Sequence, residues 1–172
     1  MAERTDSGWG EPRIIDGGPN SIGLHWQFSV AANGSIYFGS GAPGGLGGAD
    51  IYLSRLVDGV YQAPENLGPV INSEEFEFSP FIAPDESYLI VTGSGPDARG
   101  GTDLYISFKV PDGTWTPPLN LGDRINTPTD EFCPQVSGDG RFLFWNSRTH
   151  GNTDNFWIDA AIIGELRARA FR

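Results

Sequence analysis

The hydrophobic positions along this chain form short runs that are rich in aromatic and β-branched residues. Examples are residues 36–38, 88–91 and 142–145, and each run follows a turn sequence that contains Asn, Asp or Gly. Side chains of these types suit half-buried β-strands. Two further turns, Asp58-Gly59 and Asp112-Gly113, carry a dipeptide that favours tight hairpins. The pattern therefore predicts many short strands.

The glycine and proline content strengthens this interpretation. The 172 residues include 24 glycines and 13 prolines, and both residue types interrupt regular structure. Hydrophobic residues make up 38% of the chain and aromatic residues 12%, which is enough apolar surface for a core. We therefore expect one all-β domain rather than a helical or a disordered chain.

The turns and strands recur with a single period. An aromatic residue followed three positions later by proline occurs at Trp9, Tyr61 and Trp115. A turn recurs near residues 33, 85 and 139, and a strand start recurs at residues 50, 103 and 155. Because three unrelated landmarks share a spacing of 52–54 residues, the chain contains three copies of one unit.

Each copy carries the signals of four short antiparallel strands. The proline of the aromatic landmark suits the fourth, outermost strand, where a missing N–H group costs least. Four strands in a unit of about 50 residues are typical of one blade of a β-propeller. A β-sandwich is the alternative, but nothing in a sandwich requires landmarks at a fixed spacing.

Three segments of the chain resemble the repeats of TolB-type, WD-like propellers. They are Ser79-Pro-Phe-Ile-Ala-Pro-Asp85, Gly100-Gly-Thr-Asp-Leu-Tyr-Ile-Ser107 and Asn120-Leu-Gly-Asp-Arg-Ile-Asn126. The resemblance covers roughly residues 24–160 and implies the propeller fold, with six or so blades in the usual relative and protein–protein binding in some of them. The first copy departs from the pattern, since it has Gln27-Phe28 where the others have Ser79-Pro80 and Cys133-Pro134.

We expect residues 1–172 to form a single half-propeller domain with three four-stranded blades. The expected parts are the blade repeats at about 24–68, 76–122 and 130–160, an outer strand at 8–16, and a tail of one or two helical turns at 161–172. Three blades are too few for a ring. We therefore expect a six-bladed ring made by a strand-swapped homodimer, in which the Trp9 strand of each chain completes the last blade of the other. The alternative is a fragment of a longer propeller.

The charge balance excludes several kinds of partner. The formal net charge is −11, from 22 acidic and 11 basic residues, and phosphate recognition needs a basic surface, so we expect no nucleic acid partner. No apolar run reaches the roughly 20 residues of a membrane span, and the first residues have no apolar stretch of a signal peptide. We expect a soluble chain without membrane insertion, and the sequence indicates no compartment.

Three residues at equivalent repeat positions are candidates for a ligand site at the channel mouth. His25, Glu77 and Glu131 begin the innermost strands, and each precedes an aromatic residue. If the aromatic residues pack between blades, alternation turns these three side chains to the channel. Imidazole and carboxylates can bind a divalent metal or a cationic ligand, with His25 as the weak metal candidate, and no other cofactor is indicated. The alternative is that both glutamates bond backbone amides.

Three further candidates, Arg99, Arg148 and His150, lie on equivalent loops at one face and could bind an anionic or sugar ligand. Motifs for nucleophilic, phosphate-binding, dinucleotide or zinc-protease chemistry are absent from the sequence. The first hypothesis is therefore a non-catalytic propeller scaffold that binds a protein segment or small ligand at the channel mouth. The alternatives are a carbohydrate-active enzyme, such as a polysaccharide lyase or hydrolase-like propeller, with a channel metal site, and a purely structural propeller fragment.

Overall fold

The computed structural model describes residues 4–23 and 25–172. In chain order the strands are β1 (Arg4–Thr5), β2 (Gly8–Trp9), β3 (His25–Val30), β4 (Ile36–Ser40), β5 (Asp50–Ser54), β6 (Leu56–Val57), β7 (Val60–Tyr61), β8 (Glu65–Asn66), β9 (Glu77–Ile82), β10 (Tyr88–Gly93), β11 (Asp103–Phe108), β12 (Leu119–Asn120), β13 (Glu131–Val136), β14 (Phe142–Ser147) and β15 (Asp154–Asp159). A 3₁₀ turn spans Gly18–Ser21, and helix α1 spans Ala161–Ala170.

Three successive antiparallel sheets contain the strands of the repeats, and two small hairpins, β1–β2 and β6–β7, lie outside them. Sheet 1 has the order β3-β4-β5-β8, sheet 2 has the order β9-β10-β11-β12, and sheet 3 has the order β13-β14-β15. Sheets 1 and 2 thus have four strands each, and sheet 3 has three. The first strand of each repeat lies at one edge of its sheet.

A tight hairpin, β6–β7, lies between β5 and β8 and contains the predicted Asp-Gly turn. Val57 pairs with Val60, and the two residues between them, Asp58 and Gly59, have φ angles of 51° and 78°. Positive φ at both central positions defines the turn whose twist matches antiparallel strands, and Asp-Gly tolerates it well. The local sequence therefore determines this connection.

Two apolar cores lie between neighbouring sheets. The core between sheets 1 and 2 includes Tyr37, Leu53 and Ile82, which are at most 1% exposed. The core between sheets 2 and 3 includes Ile90, Ile106 and Leu143, which are fully buried. A third, smaller cluster of Ile36, Phe38 and Tyr52 lies on the other face of sheet 1, where Ile15 and Ile22 cover it.

Successive sheets also approach each other closely through backbone contacts. The N–H of Glu77 donates to the carbonyl of Ala49 at 2.8 Å, and the N–H of Glu131 donates to the carbonyl of Thr102 at 2.8 Å. A Cβ atom added to Gly47 would lie 2.3 Å from the carbonyl oxygen of Glu75, and one at Gly100 would lie 1.6 Å from that of Thr129. The two glycines therefore have no space for a side chain, because the next connection crosses directly over them.

Helix α1 packs beside sheets 2 and 3 and is longer than the one or two turns expected for the tail. Ile162 and Leu166, four residues apart on one helix face, are buried in the core between these sheets. The guanidinium of Arg167 lies 5.6 Å from the ring centre of Phe108. One face of α1 is thus part of the core, whereas Phe171 after its end is half exposed.

The N-terminal segment differs from the expected outer strand at 8–16. Gly8–Trp9 pairs with Arg4–Thr5 in a small exposed hairpin, and residues 10–16 are not in a strand. Trp9 is 74% exposed. No described helix combines the length and the apolar character that are needed to cross a membrane.

Candidate functional site

A cavity of about 880 Å³ lies along the innermost strands of the three sheets. Strand β9 packs against both β3 and β13, so the edges of all three sheets meet here. Four aromatic residues, Trp26, Phe28, Phe76 and Phe78, are among the lining residues. The others are Gln27, Ala49, Ser79, Pro80, Cys133, Pro134 and Gln135.

Three repeat-equivalent side chains are hydrogen-bonded to one another within this lining. The hydroxyl of Ser79 donates to Oε1 of Gln27, and Nε2 of Gln27 donates to Sγ of Cys133 at 3.0 Å. Gln27, Ser79 and Cys133 occupy the same position of their repeats, and each belongs to a different sheet. Their hydrogen bonds therefore join all three sheets at one point. We name these residues the polar centre.

A β-bulge on each innermost strand positions the polar centre. The pairing register with the second strand shifts between Phe132 and Gln135, and corresponding shifts occur in sheets 1 and 2. Ser79 and Cys133 have φ angles of 48° and 57°, in the left-handed region that costs energy for residues other than glycine. Both precede a proline, so the Ser-Pro and Cys-Pro dipeptides mark the bulges in the sequence.

Glu77 lies away from the cavity surface and belongs to the blade scaffold. The residue is 5% exposed, and its carboxylate accepts hydrogen bonds from the backbone N–H of Ser73 at 2.8 Å and from its hydroxyl at 2.5 Å. Burial raises the pKa of Glu77, while these hydrogen bonds oppose the shift. The carboxylate thus fixes the connection that precedes β9.

Glu131 has the same arrangement in the third repeat. It is fully buried, and its carboxylate accepts hydrogen bonds from the N–H of Thr127 at 2.7 Å, the hydroxyl of Thr127 at 2.7 Å and the hydroxyl of Ser147 at 2.6 Å. The expectation that the glutamates point to the channel while their aromatic neighbours pack between blades is therefore wrong. The preceding loop folds back over each glutamate, and Phe78 lines the cavity instead.

His25, the third member of that predicted set, is exposed and contacts the ring of Phe38 edge-to-face at a centroid distance of 6.0 Å. Its structural environment therefore differs from that of the two buried glutamates, although all three occupy equivalent positions. Among residues 4–23 and 25–172, no group of three or more His, Cys, Asp or Glu side chains is arranged to hold a metal ion.

The predicted loop residues Arg99, Arg148 and His150 are all exposed. Arg148 forms an ion pair with Asp130 at 2.9 Å, and His150 lies 3.2 Å from a carboxylate oxygen of Asp154. The backbone N–H of Arg99 donates to Asp103 at 2.9 Å. These contacts hold the loops in place, and a ligand-binding role for the six predicted residues stays a prediction.

The residues that line the cavity include no charged side chain of either sign. In the chain, the exposed Glu74 and Glu75 precede Phe76, and the exposed His25 precedes Trp26. The lining itself therefore offers a charged partner neither to an anion nor to a cation.

Comparison with protein-family models and with curated proteins finds no match. Among the solved structures that are similar to the chain are two TolB proteins. The TolB structure from Acinetobacter baumannii has a TM-score of 0.55 at 15% sequence identity over 78% of this chain, and a putative TolB from Agrobacterium tumefaciens has 0.61 at 16% over 92%. The chain spans 29% and 50% of the lengths of these two proteins. Their similarity, together with the fan of antiparallel sheets, shows that the chain has a TolB-like β-propeller fold.

Proposed function

We propose that this chain is a non-catalytic binding module whose aromatic cavity receives side chains of a protein segment. The observation that carries this proposal is the cavity at the meeting point of the three innermost strands. A volume of about 880 Å³ lies within the range of ligand sites, which are mostly apolar with a few placed polar groups. Trp26, Phe28 and Phe76 are each at least 50% exposed, and contiguous exposed apolar surface is typical of interaction sites.

Selection from a library of random linear peptides displayed on phage tests this proposal. We expect enrichment of peptides that bind the unmodified chain and lose binding to the Trp26→Ser and Phe28→Ser variants. The control variant is Val60→Ser, which removes an apolar side chain as exposed as Phe28 but outside the cavity lining. Peptides that bind all three variants equally, or no enrichment at all, would contradict the proposal.

The same module completes its ring, in our proposal, by pairing with a second copy. The support is a pair of residues on the free face of sheet 3. Phe144 pairs with Trp157 across β14 and β15, as Tyr37 pairs with Leu53 in sheet 1 and Ile90 with Ile106 in sheet 2. The equivalent residues in the first two sheets are buried against the next sheet.

Phe144 and Trp157 are 41% and 62% exposed. We name them, together with Phe142, the free aromatic face. Burial of such large apolar side chains is worth about 2 kcal/mol each, so another sheet is their natural cover. In a homodimer of two half-rings, sheet 1 of the partner supplies that cover and the product has six blades.

The environment of the repeated aromatic landmark supports a strand exchange in this dimer. Tyr61 and Trp115 are partly buried and pack against the cores of sheets 1 and 2. Trp9, the third landmark, is 74% exposed in the small N-terminal hairpin. Transfer of the segment around Trp9 to the edge of sheet 3 in the partner would partly bury the indole of Trp9, as the side chains of Tyr61 and Trp115 are partly buried.

A further inference from the structure

We propose that the group bound in the aromatic cavity is an alkylated ammonium cation, such as a methylated amine with a short apolar stem. This inference rests on the proposed binding function and adds the chemical class of the ligand. It depends on three properties of the lining: its aromatic rings, its lack of basic side chains, and the hydrogen bonds that its polar centre already makes.

The rings provide the attractive surface. Trp26, Phe28 and Phe76 keep half or more of their surface exposed, and Phe78 joins them in the lining. The negative face of an aromatic ring attracts a cation within about 6 Å of its centre, tryptophan most strongly, and several rings around one cavity form a cage for quaternary ammonium groups. A cation with alkyl substituents also gains from the burial of those substituents.

The overall charge of the chain favours a cationic ligand, although the lining contains no charged side chain of either sign. The exposed Glu74 and Glu75 adjoin Phe76 in the chain, and the exposed His25 adjoins Trp26. The whole chain carries a formal net charge of −11. Such a field raises the local concentration of cations and disfavours anions such as phosphates and carboxylates.

The polar centre limits the directed hydrogen bonds that a ligand can form in the cavity. Gln27 uses its carbonyl oxygen for Ser79 and its amide nitrogen for Cys133, so these groups already have partners inside the protein. A ligand that must donate or accept several directed hydrogen bonds would compete with these contacts. An alkylated ammonium needs few directed hydrogen bonds, because its charge is spread over its alkyl groups.

Titration with choline and with its neutral isostere, 3,3-dimethyl-1-butanol, tests the proposal. The two probes have nearly the same shape, so their difference in affinity reports the charge. By NMR titration we expect choline to bind about tenfold more tightly than the alcohol. Trp26→Leu and Phe76→Leu keep an apolar side chain but remove one ring each, and each should reduce this preference severalfold. Phe171→Leu removes a half-exposed ring outside the lining and should leave the preference unchanged.

Equal or tighter binding of the neutral alcohol would overturn the inference, and so would a choline affinity that neither cavity variant changes. A peptide arm separates a protein-borne ligand from a free one. A selected peptide with one trimethyllysine should bind more tightly than the same peptide with norleucine if the cation comes from a protein. Equal binding of the two peptides, together with the preference for choline over the alcohol, would indicate a free molecule. Selected peptides that bind through uncharged side chains would leave the proposed function standing and refute this inference alone.

Discussion

The hydroxyl of Ser79 donates a hydrogen bond to Oε1 of Gln27, although the two residues are 52 positions apart and belong to different sheets. Gln27 in turn contacts Cys133 of the third sheet. Equivalent positions of different repeats usually have equivalent surroundings. Here the three equivalent residues contact one another, and they have three different side chains. The first repeat contributes the long amide that reaches the other two.

Substitution of Gln27 by leucine should destabilise the chain. The hydroxyl of Ser79 would lose its acceptor, and Ser79 is only 4% exposed. An unsatisfied buried polar group costs about 1–3 kcal/mol, so we expect a decrease of this size in the free energy of unfolding measured with urea. Gln62→Leu is the matched control, because the exposed side chain of Gln62 donates to the carbonyl of Val60 and its loss should change stability by less than about 0.5 kcal/mol. Equal effects of the two substitutions would show that the polar centre is not stabilising.

The stability contribution of Glu77 should depend on pH. Burial raises the pKa of this carboxyl above its ordinary value of 4.5, so the folded chain keeps a proton that the unfolded chain has already lost. The stability contribution of Glu77 therefore decreases as the pH rises through the interval above 4.5. In Glu77→Gln this group does not titrate. The wild-type chain should thus lose part of its advantage over the variant between about pH 4 and pH 7, as measured by urea unfolding.

The Ser73→Ala variant provides a matched comparison for this pH effect. It removes the hydroxyl that donates to Glu77 at 2.5 Å and that lowers the pKa of the carboxyl. The pKa should therefore rise further, and stability should decrease over a wider pH interval than in the wild-type chain. An advantage of wild type over Glu77→Gln that grows with pH would contradict the assigned direction of the shift.

The proposed ring predicts the mass of the particle in solution. Light scattering should give twice the 18.6 kDa mass of one chain. Trp157→Arg should shift the particle towards the single-chain mass, because a charge would be placed within the contact of the free aromatic face. Val60→Arg, at an equally exposed position of the β6–β7 hairpin, should leave the mass unchanged. A single-chain mass for the unmodified protein would refute the ring.

Replacement of Trp9 by alanine separates the exchanged strand from the free aromatic face. Because Trp9 is 74% exposed within its own chain, its removal should hardly change the stability of one subunit. If it packs on the partner, the dissociation constant of the dimer should rise by about tenfold or more. Sedimentation at several protein concentrations measures this constant, and an unchanged value would exclude a swapped Trp9 strand.

The parts of the fold that local sequence determines were predictable. The Asp58-Gly59 turn and the repeated strands follow from backbone preferences and spacing, and the resemblance of three segments to TolB-type repeats implied the propeller fold. The cavity was not predictable from the sequence. Alternation along a strand distinguishes two faces, but it does not tell which face a neighbouring sheet will cover. The sequence left open whether Glu77 faces the channel or bonds backbone amides, and the structure favours the second possibility because the N–H of Ser73 donates to its carboxylate. The Ser79-Pro80 and Cys133-Pro134 dipeptides were the available signal of the bulges.

The N-terminal segment shows another limit of prediction from spacing. Trp9 matches Tyr61 and Trp115 in its sequence landmark, which predicts an outer strand at 8–16. In the structure Gly8–Trp9 pairs with Arg4–Thr5 instead. The landmark alone therefore does not determine which strand this segment pairs with.

The close approach at Gly47 and Gly100 has a geometric consequence. Each of these glycines lets one sheet approach the connection to the next sheet closely, and each lies where two neighbouring sheets meet. A methyl group at either position would act as a wedge and widen the angular step around the axis. The number of sheets that fit into a full circle depends on this angle. The lack of a side chain at Gly47 and Gly100 therefore helps to determine how many sheets can surround the axis.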